Sequence, residues 1–89
     1  MGREIILFNS EEKKTKNEIA DILRLLASKV EQGNLSLSNE AGAVDLEFPE
    51  NMILEIKAEE EVKQKIKRSL EIEIEWIVGS DDQGSMVIG

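Results

Sequence analysis

Ser69-Leu70-Glu71-Ile72-Glu73-Ile74-Glu75-Trp76 decides the fold, because apolar and acidic residues alternate without a break from Leu70 to Trp76. A period of two is that of a β-strand, in which successive side chains point to opposite faces. Leu70, Ile72, Ile74 and Trp76 therefore share one face, and Glu71, Glu73 and Glu75 share the other. Moving back along the chain, Met52, Leu54, Ile56 and Ala58 alternate with Ile53, Glu55 and Lys57, Val44, Leu46 and Phe48 with Asp45 and Glu47, and Leu35 and Leu37 with Ser36 and Ser38. Asn39-Glu40-Ala41-Gly42 and Pro49-Glu50-Asn51 are turn candidates between these runs.

Residues 59–68, between the last two runs, admit two readings. As a helix they offer Glu59 to Lys63 and Glu61 to Lys65 pairs four apart. As a hairpin they set an acidic arm, Glu59 to Glu61, against a basic arm, Lys65 to Arg68. The hairpin is favoured because the flanking period of two continues into Ile66 and Arg68, although no Gly or Asn marks a tight turn.

The period is different near the start of the chain. Ile19, Ile22, Leu23, Leu26 and Val30 recur at steps of three and four, the stripe of an amphipathic helix, with Lys13, Lys14, Lys16, Asp21, Arg24 and Glu31 on the opposite face. Ser10 is the expected N-cap, followed by Glu11 and Glu12, and Gly33 is the expected stop, so the helix is predicted from Glu11 to about Gln32. Ahead of it Glu4-Ile5-Ile6-Leu7-Phe8 is too short and too rich in β-formers for a helix and is predicted to be a first strand.

The expected fold is thus α+β in the order β-α-β-β-β-β. One long amphipathic helix would pack on one face of a mainly antiparallel four- to five-stranded sheet. The predicted core joins the helix stripe to Ile6, Phe8, Val44, Leu46, Phe48, Leu54, Ile56, Leu70, Ile72 and Ile74. Trp76 stands at its rim, where the indole N–H can find a partner. Residues 1–77 form the expected single domain, and residues 78–89, with Gly79-Ser80-Asp81-Asp82 breaking the pattern, are expected to be a flexible tail.

At this point the sequence resembles the amphi-Trp domain family of archaea and bacteria. The resemblance rests on the opening Met1-Gly2-Arg3-Glu4-Ile5-Ile6-Leu7-Phe8, the charged helix after it, and above all the amphipathic strand from Ser69 that ends in Trp76. It covers Gly2 to Trp76. It implies a compact α+β module of prokaryotes and supplies no activity or catalytic residue.

Composition narrows the function classes. The 89 residues carry 19 acidic against 11 basic side chains, a formal net charge of -8, and a pI of about 4.5. Nucleic acid would be repelled, since its binders present a basic face, and the three aromatics offer no stacking platform. The absence of His, Cys and Tyr removes the imidazole base, the thiolate, the phenol, Cys/His zinc sites and disulfides. Catalysis would fall to carboxylates, lysine or hydroxyls in a deep cleft, which so small a domain seldom forms. No enzyme, cofactor or metal site is expected. Gly79 to Ser85 lacks both the lysine of a phosphate loop and the alternating acids of a calcium loop. Without an apolar run of membrane-spanning length or the apolar stretch of a signal peptide, a cytoplasmic protein without membrane partners is expected.

Two surfaces remain. Glu71, Glu73 and Glu75 stand about 7 Å apart along one strand face and could hold a hard cation or a basic partner, although a solvated face paired with Lys57 accounts for them as well. Ile5, Ile53 and Ile77 lie on the nominally wet faces of their strands, which hints at an apolar patch, and free strand edges can pair with a second chain. The sequence therefore reads as a non-enzymatic interaction or adaptor module, self-associating as a homodimer or binding another protein. The alternative is a small-ligand or cation site on the acidic face.

Overall fold

The protein was analysed as a computed structural model, which describes residues 2–79. Its element order is α1 (Lys16–Gln32), β1 (Asn34–Asn39), β2 (Gly42–Glu47), β3 (Ile53–Val62) and β4 (Ile66–Glu75). The α+β class and the antiparallel strands match expectation. The chain divides into two compact units, Met1–Phe48 and Pro49–Gly89.

In the first unit, α1 begins later than predicted. Thr15 is its N-cap, with Glu18 N–H donating to Thr15 Oγ1 at 3.1 Å and Thr15 N–H donating to Glu18 Oε1 at 2.8 Å. This reciprocal capping box satisfies two donors that the first helical turn leaves over. Ser10 has Lys13 three residues on and cannot form one, which is why the helix starts at Lys16. The end falls as predicted: Gly33, at φ 95°, donates its N–H to Lys29 O and Val30 O. Only glycine enters that left-handed region without strain.

Asn34 follows directly and opens β1, which pairs antiparallel with β2 in the register Leu35↔Leu46 and Leu37↔Val44. Asn39 Oδ1 accepts from Ala41 N–H at 2.9 Å and from Gly42 N–H at 3.2 Å, closing the turn. Across the outer row, Ser36 Oγ donates to Asp45 Oδ1 at 2.6 Å. Leu35, Leu37, Val44 and Leu46 on the inner rows of this sheet, and Leu26 and Val30 of α1, are half-buried.

The second unit is a long antiparallel hairpin whose register runs from Ile53↔Glu75 to Val62↔Ile66. This resolves residues 59–68 as a hairpin. Glu60↔Arg68 and Glu61↔Lys67 face each other as the acidic and basic arms require, and Lys63 N–H donates to Lys65 O across the connecting loop at 3.0 Å.

Three expectations need correction. Among the described residues the four strands form two two-stranded sheets, β1-β2 and β3-β4, rather than one sheet of four or five. Glu4 to Phe8 has strand-forming residues but no ladder, since a strand exists only where another accepts its hydrogen bonds. No described residue is buried: of the predicted core residues, Leu54, Ile56, Leu70, Ile72 and Ile74 in the second unit are exposed, and Val44, Leu46 and Phe48 in the first are half-buried. A two-stranded sheet has no third strand or second layer of its own to close over its apolar face. Of the expected tail, Val78 and Gly79 lie in a turn, while residues 80–89 lie outside the described residues.

Candidate interaction surface

Strand alternation and the observed register divide the β3–β4 hairpin into two chemically opposite faces. The odd-numbered face carries Glu55, Glu59, Glu61, Glu71, Glu73 and Glu75 against Lys57 and Lys67. Lys57 Nζ meets Glu71 Oε1 at 3.4 Å, and this contact, reinforced by Glu59, raises the lysine pKa above its ordinary value. Glu73 is placed otherwise. It stands directly opposite Glu55, and the hydrogen bond between the two carboxyls, with the charge of Glu75 next in size, pushes its pKa up.

All three sequence-predicted acids thus lie on one strand face, but they differ in environment: Glu71 has a lysine and Glu73 has another acid. The sequence reading missed Glu55 as the partner of Glu73. The pairing Ile56↔Ile72 would have exposed it, because positions one residue along on each strand must then oppose each other. Among the described residues no group of acids converges as a metal site would require.

The even-numbered face is apolar. Leu54 pairs with Ile74, Ile56 with Ile72, Ala58 with Leu70 and Val62 with Ile66. Its single charged row is internally satisfied, Arg68 Nε donating to Glu60 Oε1 at 2.7 Å. Seven large aliphatic side chains on this face are exposed, from 37% at Ile74 to 67% at Leu70.

At the open end of the hairpin, Pro49, Met52, Ile53, Trp76 and Ile77 line an apolar hollow of about 240 Å³. Ile53 and Trp76, both singled out from sequence, are therefore brought together. Ile5 belongs to the first unit, outside regular structure and 64% exposed. No helix among the described residues is long and apolar enough to cross a membrane.

Compared with known proteins, the chain is similar to the Amphi-Trp domain, whose family model matches residues 1–89. The match takes in the C-terminal segment as well as the stretch that ends at Trp76. No curated protein and no solved structure matches.

Proposed function

We propose that this chain, which belongs to the amphi-Trp domain family, is a non-enzymatic interaction or adaptor module of the cytoplasm that self-associates through the edges or faces of its sheets. The observation that carries this reading is the even-numbered face of the β3–β4 hairpin, apolar apart from the ion-paired Glu60–Arg68 row and with its large aliphatic side chains exposed. Water-exposed aliphatic surface is costly at about 25 cal/mol per Å², and patches of this kind are rare on surfaces that meet only solvent. Each described strand is also the edge of a two-stranded sheet, with backbone groups able to pair with another chain.

Native mass spectrometry of the full chain tests the reading, because one spectrum reports chain count, bound metal and co-purifying partner. A dimer supports it, whereas one copy in complex with another protein supports an adaptor without self-association. A bare monomer across the accessible concentration range refutes it.

A second reading, a cation or small basic ligand held by Glu71, Glu73 and Glu75, draws support from the opposed pair Glu55 and Glu73, whose shared repulsion a positive group would relieve. Replacing the three glutamates by glutamine abolishes such binding and leaves self-association through the apolar face intact.

A further inference from the structure

Resting on the self-association reading, we infer that the even-numbered face of the β3–β4 hairpin is covered by the same face of a second copy, the two hairpins stacked about a two-fold axis that runs along the strands. Three observations lead there. The first is area. Leu54, Ile56, Val62, Ile66, Leu70, Ile72 and Ile74 are exposed on one face, and each contributes on the order of 100 Å² of apolar surface. Together they approach the ~800 Å² per partner of a stable interface.

The second is charge. The chain carries a net charge of -8, so a second copy is repelled at most approaches. The even-numbered face carries no net charge to oppose that approach, since its only charges, Glu60 and Arg68, pair at 2.7 Å. Face-to-face stacking places the two acidic faces outward, a sheet thickness further apart.

The third is self-complementarity, which selects the axis. Rotation about an axis parallel to the strands lays β3 of one copy over β4 of the other with rows in register. Glu60 then lies over the partner's Arg68, and Leu70 lies over the partner's Ala58, a large side chain above a small one. A two-fold axis across the strands instead superimposes Ala58 on its own mate and sets the charged row over Ile56 and Ile72. Like positions then meet, and the interface is less well filled. The axis along the strands also brings the two Lys63–Lys65 loops to the same end of the dimer.

The chain has no cysteine, so single introduced cysteines report proximity directly. Gln64→Cys sits in the exposed loop and Glu73→Cys on the acidic face. Each full-length variant is sized by light scattering and treated with a short bismaleimide. The expected result is twice the chain mass for both, with covalent dimer from Gln64→Cys and none from Glu73→Cys. A dimer that links through Glu73→Cys, or through neither, overturns this arrangement while leaving self-association standing. A monomeric mass for both variants and the parent overturns the two together.

Discussion

Glu73 faces Glu55 across the β3–β4 ladder, and the two carboxyls are more easily accommodated when one holds a proton. Its folded-state pKa lies above the ordinary 4.5, so the folded chain binds this proton at a pH where the unfolded chain has lost it. The contribution is fully present below pH 4.5 and is lost as pH rises through the elevated folded value. Mild acidification across that window is therefore expected to raise the melting temperature, and Glu73→Gln to raise it at neutral pH and flatten the response. Thermal melts at stepped pH check this, and an unchanged acid response in the variant would place the effect elsewhere. Glu18 has the opposite sign. Its hydrogen bonds with the backbone and side chain of Thr15 lower its pKa from 4.5, so its contribution is present above that value and is lost as pH falls through the depressed one. The capping glutamate is legible in the sequence as the fourth residue of Thr15-Lys16-Asn17-Glu18, whereas the Glu55 partner of Glu73 depends on a register between distant strands.

At the scale of elements, the ends of α1 show how local chemistry selects a boundary. Gly33 stops the helix because the chain turns at φ 95°, and an alanine there is strained. Thr15 starts it because Glu18 returns the hydrogen bond, while Ser10 has only Lys13 at the corresponding position. Thr15→Ala is expected to cost about 1 kcal/mol, and Ser10→Ala to leave stability within about 0.5 kcal/mol of the parent. Denaturant midpoints followed by helical circular dichroism distinguish the two; equal losses would contradict the assigned cap. The hairpin is an element of another kind. Its ten-residue strands follow the alternation of the sequence, and its Lys63–Lys65 loop closes without glycine. The acidic and basic arms beside that loop supply complementary cross-strand pairs, with Glu60 and Arg68 in direct contact.

For the whole molecule, every large aliphatic on the even-numbered hairpin face is exposed, and the proposed self-association through that face would link folding to association. A ligand that binds only the folded state stabilises it by mass action, and on the proposed reading that ligand is a second copy. The melting temperature is accordingly expected to rise with protein concentration, and to rise further with added salt as the net charge of -8 is screened. Melts over a hundredfold range of concentration check this; a constant melting temperature would mean that the monomer is stable alone. By itself the sequence determined what depends on neighbours a few residues apart: the helix stripe and its glycine stop, and the alternation of the four strands, while it left residues 59–68 open between helix and hairpin until the register decided. Tertiary structure alone decided that, among the described residues, the strands form two sheets instead of one, that Glu4 to Phe8 has no ladder, and that the apolar rows of the hairpin are exposed. Periodicity specifies which face of an element is apolar. Which distant surface covers that face depends on long-range closure and packing, and no local pattern records it.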